Sequence, residues 1–402
     1  MIAGGSSVQK LFPAGESLHV LTLTPFYPVA GDDAQGCFVA EPLSWLAQLG
    51  VTNTVRVAQP FYRRGAVSHD SAVPDSVVPA QWVRFFSLPG GWGLSSAGAF
   101  LFASLLPEIR RLHGLHPVDL IHAHSALPSG HAASLLSREL KIPFVVTVHG
   151  LDAFSTRQVG GYAGKWCARV SQSVYRSACS VICVSEKVRD QVIEGAAAPV
   201  NTAVLYNGVD PRVFSPPESE PDAPMILSVG NLIPVKGHEL LLRVFAAIQD
   251  QFPGLSLEII GDGPERARLQ QLANQQGTSA KVHFRGRQSR WQVADAMRRA
   301  TVFALPSRYE GLGCVYLEAM AAGKPVVACL GQGIDEVIES GRNGFLIKPD
   351  NLQELIDTLT RLLQQTEVQR KMGDAARRTI LQRYTLAEQA ARLFRLYREC
   401  RS

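Results

Sequence analysis

Two glutamates, Glu310 and Glu318, stand eight positions apart in "SRYEGLGCVYLEAMAAGKPVV" (307–327), with Gly311 and Gly313 between them. Glu310 falls in the loop "PSRYEGLG", behind the apolar run "TVFAL". Glu318 falls on the helix of "CVYLEAMAA", which Gly323 and Pro325 stop. Glycines here let a ligand approach the backbone and turn N–H groups toward an anion. Carboxylates at one opening can hold two parts of one ligand. Reading them as a loop carboxylate and a surface helix residue leaves the glycines unexplained, because glycine destabilises an element unless its freedom is used.

Two further stretches carry related chemistry. "SVGNLIPVKG" (228–237) reads as strand, turn and a helix opening near Gly237. N–H groups at a helix start face an anion, and Lys236 adds a mobile positive charge. A plain turn with an exposed lysine describes it equally well. "IIGDGPERARLQQLA" (259–273) has a G-x-G before a helix begun at Pro264, but no third glycine. A structural turn is favoured there over direct phosphate contact. His122 and His124 alternate along "DLIHAH" without a carboxylate or cysteine at ligand spacing, so histidines satisfied within the fold are expected rather than a metal site. Asp32 and Asp33 read as a solvated turn.

The elements that must position these residues are βα units. "LHVLTL", "DLIHAH", "FVVTVHG" and "SVICVSE" are short apolar runs, each leading toward a helical stretch. After the Pro- and acid-rich "SPPESEPDAP" (215–224) the alternation restarts with "MILSVG", "LSLEIIG", "KVHFRG", "TVFALPS", "PVVACL" and "GFLIKP". Such runs predict parallel sheets covered on both faces. The expected organisation is a first α/β domain over 1–214, a linker over 215–224, and a second α/β domain over 225–384. An amphipathic helix over 385–402 should pack back toward the first domain, with Leu386, Ala390, Leu393, Phe394 and Leu396 as its apolar set. In doubly wound sheets ligands sit beyond the C-terminal strand ends, which is where Lys236 and Glu310 fall.

Composition narrows the function classes. The chain has 402 residues, 46% hydrophobic and 19% charged, with a formal net charge of +5. That balance describes a globular protein and gives no electrostatic footprint for nucleic acid. Seven cysteines without a C-x-x-C suggest buried thiols in a reducing compartment rather than disulfides or a zinc site. The start lacks a signal-peptide h-region, and no window is long and apolar enough to span a membrane. For "GWGLSSAGAFLFASLLPEIRRLHGLH" (91–116) two readings stay open: a helix lying on a membrane, or an ordinary packed helix.

The glutamate segment closely resembles the E-x7-E motif of the family-4 (group 1) retaining glycosyltransferases, which have the GT-B fold of two facing Rossmann-like doubly wound domains. "GNLIPVKG", "IIGDGPER", "FRG" (284–286), "YNGVDPRVF" (206–214) and "GQGIDEVIESGRNGFLIKPDN" (331–351) are similar to its other landmarks, in the same order. The resemblance implies catalytic roles for Glu310, Lys236 and His149. Glu310 would meet donor-sugar hydroxyls, Lys236 the leaving diphosphate, and His149 the donor sugar. Glu318 would accept from the ribose, the N–H groups of Gly311, Leu312 and Gly313 would face the diphosphate or sugar, and Asn231 and Arg285 would border the donor. Asn231 stands where the family often has arginine, and Arg285 or Arg308 is the expected compensation. On the acceptor side, Gly36 belongs to a loop with Gly31 in place of the usual glycine pair.

The implied activity is transfer of a hexosyl unit, with retention, from a nucleotide diphosphate sugar to a glycan or lipid-linked hydroxyl acceptor in cell-surface polysaccharide synthesis. No cofactor or metal ion is expected, and the setting would be cytoplasmic, at the inner face of the cytoplasmic membrane. A sugar-nucleotide epimerase, a phosphorylase and a non-catalytic sugar-nucleotide binder use the same architecture and remain alternatives. A nicotinamide dehydrogenase is disfavoured, since no complete G-x-G-x-x-G follows a first strand.

Overall fold

Aliphatic and β-branched runs that are buried on both faces must hydrogen-bond side by side, and here they form two parallel sheets. The structure is a computed structural model that describes residues 17–29, 31–62, 78–89, 93–150, 159, 161–219 and 223–401. The first sheet contains β1 (Leu18–Thr24), β2 (Val51–Pro60), β3 (Ala80–Phe85), β4 (Leu120–His124), β5 (Phe144–Val148), β6 (Ser180–Cys183) and β7 (Thr202–Val204). Its order is β3-β2-β1-β4-β5-β6-β7. The second contains β8 (Met225–Val229), β9 (Ser256–Ile260), β10 (Val282–Gly286), β11 (Val302–Ala304), β12 (Val326–Cys329) and β13 (Phe345–Ile347). Its order is β10-β9-β8-β11-β12-β13.

Both sheets are doubly wound, and each reverses its strand order at one place. In the first, β1 lies between β2 and β4, with Leu18 opposite Val51 and Val20 opposite Leu120. In the second, β8 lies between β9 and β11, with Val302 opposite Ile226. A crevice opens beyond the strand ends at such a reversal. The segments after β1, β4 and β5 come from one side, and those after β8 and β11 from the other.

The terminal helix Leu386–Arg401 leaves the second sheet and packs on the first, burying Leu386, Ala390, Leu393, Phe394, Leu396 and Tyr397. The crossing is pinned where Val209 pairs with Thr385, the Val209 N–H donating to Tyr384 O at 2.9 Å. This docking brings Cys400 to Cys179 as a disulfide, with Cα atoms 5.9 Å apart. The expectation of thiols throughout is thereby corrected. The partners are 221 residues apart, so only the folded path of the chain unites them. Cys37, Cys167, Cys183, Cys314 and Cys329 take no part in a disulfide.

The helix Leu94–Leu115 turns Ala97, Leu101, Leu105 and Ile109 into the core. Its main apolar face is therefore spent on packing. Among the described residues, no helix is long and apolar enough to cross a membrane.

Candidate active site

Lys236 and Glu310 reach each other because two loops are laced together beneath them. Lys236 ends the 3-10 turn Pro234–Lys236 after β8, and Gly237 follows with φ +73°. A Cβ on Gly237 would lie 2.1 Å from Pro306 O, so only glycine lets the turn settle on the loop behind β11. Arg308 N–H donates to Val235 O at 2.7 Å, and Ser307 Oγ to the same carbonyl at 3.2 Å. Lys236 Nζ then donates to Glu310 Oε1 at 2.6 Å. Glu310 is 7% exposed, so its charge needs this partner. Its backbone N–H donates to buried Gln332 at 3.0 Å, fixing the loop.

The glycines that follow carry the contact between the domains. A Cβ on Gly311 would stand 2.1 Å from His149 O, and one on Gly333 would stand 1.8 Å from Gly311 O. Ser185 Oγ donates to Gly311 O at 2.6 Å, tying the loop to the first domain. Leu312 is buried. Gly313, at φ +85°, starts the helix Cys314–Ala321 with no side-chain cap. Helix-start N–H groups without a side-chain partner suit an anion.

His149 closes the opposite wall at the end of β5. Phe38 packs against its ring at 4.7 Å, and His124 Nδ1 is 3.0 Å from its Nε2. Behind them His122 is held by Tyr397 Oη at 2.6 Å and Thr147 Oγ1 at 2.7 Å. Burial pushes the imidazoles of His122 and His149 down to about 3, and that of His124 well below its ordinary value. His149 therefore meets the crevice as a neutral hydrogen-bonding ring. Among the described residues, no group of three His, Cys, Asp or Glu side chains is placed to hold a metal ion.

Glu318 sits farther along the helix, 4% exposed and paired with Arg290. Arg290 opens the helix Arg290–Arg299 and also reaches Glu41 of the first domain, Nε to Oε1 at 2.8 Å and Nη2 to Oε2 at 3.1 Å. Its guanidinium lies over the Phe214 ring at 4.7 Å. Burial raises the Glu41 carboxyl above its ordinary value, against the opposing charge of Arg290. Asp32 and Asp33 are not a solvated turn. Asp32 pairs with Arg287 at 2.6 Å, and Asp33 accepts from the Arg290 N–H at 2.9 Å. The loop behind β1 thus bridges to the second domain. On the other flank Glu336 accepts the N–H groups of Glu186 and Lys187 at 2.8 and 2.9 Å. The crevice is closed at both ends.

Lys236, Glu310, Gly311, Leu312, Gly313 and His149 are brought together, and Glu318 is buried on the helix that Gly313 starts. Asn231 is exposed in the turn after β8. Arg285 stands apart, its Nε on Glu258 Oε2 at 3.0 Å, and Arg308 turns to Asp350 at 2.8 Å. Both guanidinium groups are thus engaged by carboxylates of the second domain. Gly36, at φ +69°, is dictated by packing, since its Cβ would lie 2.4 Å from Tyr27 N. Arg290, Glu41 and His238 were not legible as site residues. His238 lies buried behind Lys236, with burial lowering its imidazole to about 4.

Comparison with known proteins is consistent with this geometry. Residues 211–379 match the model of "Glycosyl transferases group 1", and residues 39–213 that of "Glycosyltransferase Family 4". An uncharacterised glycosyltransferase of Methanocaldococcus jannaschii is 31% identical over 259 residues, 64% of this chain and 69% of that protein. The putative teichuronic acid biosynthesis glycosyltransferase TuaC of Bacillus subtilis is 26% identical over 403 residues, covering 94% and 98%. Among solved structures, HepE of Anabaena in complex with UDP superposes with a TM-score of 0.73 at 20% identity, covering 95% and 100%.

Proposed function

Since the chain belongs to the group 1 glycosyl transferases, a family of GT-B glycosyltransferases, we propose that it moves a hexosyl unit from a nucleotide diphosphate sugar to a hydroxyl acceptor, with retention. The observation that carries this reading is the Lys236–Glu310 pair beside the Gly311–Gly313 turn, whose Gly311 backbone packs against the His149 carbonyl. In the proposed complex the diphosphate lies against Lys236 and the N–H groups that start the helix Cys314–Ala321. The sugar hydroxyls lie between Glu310 and the neutral His149, and the ribose lies on Glu318.

As the bond from the anomeric carbon to the diphosphate breaks, negative charge grows on the departing oxygen. Lys236 and the helix-start N–H groups are fixed where that charge appears, which is the most effective form of stabilisation available to a rigid site. The acceptor oxygen forms the new glycosidic bond on the face the diphosphate leaves, and its proton passes to the departing phosphate. His149, uncharged near neutral pH, orients hydroxyls and supplies no proton. Its ring and the Phe38 ring wall the sugar from water.

The acceptor in this reading is a glycan or lipid-linked intermediate of cell-surface polysaccharide synthesis, supported by the similarity to TuaC, whose name assigns that protein to teichuronic acid biosynthesis. Such acceptors would place the enzyme at the inner face of the cytoplasmic membrane. The test is a thermal-shift panel of UDP, GDP, ADP and their sugar conjugates on wild type and Glu318→Ala. A ligand that binds only the native state raises Tm by mass action. One nucleotide stabilising wild type, and the variant much less, supports the donor assignment. No shift with any of them refutes it. Proton NMR of the product's anomeric configuration then tests retention.

A further inference from the structure

Arg290, its side chain 13% exposed, is a cation shared between two carboxylates from different domains, and that sharing is unequal. Its Nε and Nη2 form a two-pronged pair with Glu41, at 2.8 and 3.1 Å, while only Nη1 reaches Glu318, at Oε1. The guanidinium is locked in this orientation by the Phe214 face beneath it. Asp33 accepts from the Arg290 backbone N–H, holding the helix start in place from the first domain. A planar guanidinium prefers a two-pronged grip on a carboxylate. With Glu41 taking that grip, Glu318 is engaged through one oxygen only.

We infer that Arg290 is a positioning residue for the nucleotide, held by Glu41 so that Glu318 stays oriented and keeps one carboxylate oxygen for the ribose. This rests on the donor reading given above and adds a residue pair to it. Without Glu41, Arg290 is released to close two-pronged on Glu318 and occupy both oxygens, in competition with the ribose hydroxyls. Because Glu41 and Asp33 belong to the first domain, the ribose carboxylate has its full affinity only when the β1 loop is docked on the second domain. Donor binding and the placement of the loop beside the acceptor path are therefore one event.

The test is a double-mutant cycle in nucleotide affinity, since non-additivity is what distinguishes residues that act through one another. UDP, GDP and ADP are titrated by calorimetry into the wild-type chain, and the tightest is carried into Glu41→Gln, Glu318→Gln and the double variant. Glu41→Gln is expected to weaken binding about three- to tenfold in the wild-type background and less than about twofold in the Glu318→Gln background. A Glu41 that only stabilises the domain contact would weaken binding equally in both, and that result overturns the inference. So does unchanged affinity in Glu41→Gln. Should Glu41→Gln unfold, Arg290→Lys replaces it, because a point charge cannot hold both carboxylates. Wild type that binds none of the three nucleotides, or Glu318→Gln that binds as wild type, overturns the donor reading and this inference together.

Discussion

Acidification should unfold the first domain in a way that one histidine makes measurable. His122 is 2% exposed, with both ring nitrogens hydrogen-bonded to Tyr397 and Thr147. Burial, reinforced by the neighbouring His149, holds its imidazole down at about 3. In the unfolded chain the same ring titrates near ~6.5. Between ~6.5 and about 3 the unfolded state binds a proton that the native state refuses, so stability present above that window is lost as pH falls through it. Going from about pH 7 to about pH 5, the loss is ~2 kcal/mol for one such ring. His149 adds a similar amount, and His124 shifts in the same direction. The assay is urea unfolding at both pH values on wild type and His122→Gln, since an amide keeps hydrogen-bonding capacity without a titrating proton. The variant should be less stable at neutral pH, yet lose ~2 kcal/mol less on acidification. His238 cancels in this comparison because both proteins carry it. Equal losses would show that the native ring takes up its proton, and would refute the argument.

Three other outcomes are expected. Lys236→Ala should lower turnover by roughly 10²–10³, the usual effect of removing one preorganised charge-stabilising group, and near-normal turnover would remove it from the leaving-group role; Glu310→Gln should lower turnover with little change in donor affinity. Gly311→Ala puts a methyl 2.1 Å from the His149 carbonyl, so the domains must part; small-angle scattering should report a larger radius of gyration and the assay a loss of turnover. Cys400→Ser should abolish the difference in unfolding free energy, read by urea titration, between wild type with and without dithiothreitol, a difference of up to about 5 kcal/mol for a loop this long; equal stability in wild type under both conditions would contradict a stabilising bond.

What was legible in the sequence follows from where side chains end up. "MILSVG", "LSLEIIG" and "PVVACL" stand out as strands because both faces of β8, β9 and β12 are covered, and every position tends to be apolar. β2 and β3 lie toward one edge of the first sheet, and their mixed exposure writes "VTNTVRVAQP" and "AQWVRF" without a continuous apolar run. Glu310 and Lys236 could be singled out because glycines and strand ends surround them, although their direct pairing across 74 residues could not. Arg290 sits in "GRQSRWQ", one arginine among several, and its partner Glu41 is 249 residues away. Nothing local distinguishes a largely covered, shared guanidinium from a solvated one. The same holds for Asp32 and Asp33, whose acceptor role depends on a helix start 257 residues downstream of Asp33.

The path of the last helix has a consequence for how the protein is made. Leu386–Arg401 buries Leu393, Phe394 and Tyr397 on the first sheet, and Tyr397 holds His122. The second sheet is thus spliced into the first domain as an insert, entering after Phe214 and leaving at Thr385. A ribosome releases the insert before it releases the segment that finishes the host. Until then the nascent first domain displays an unfilled apolar slot beside its histidines. The second domain has all its strands before that point. Deleting Leu386–Arg401 would therefore damage the first domain, although that helix follows the second sheet in the chain.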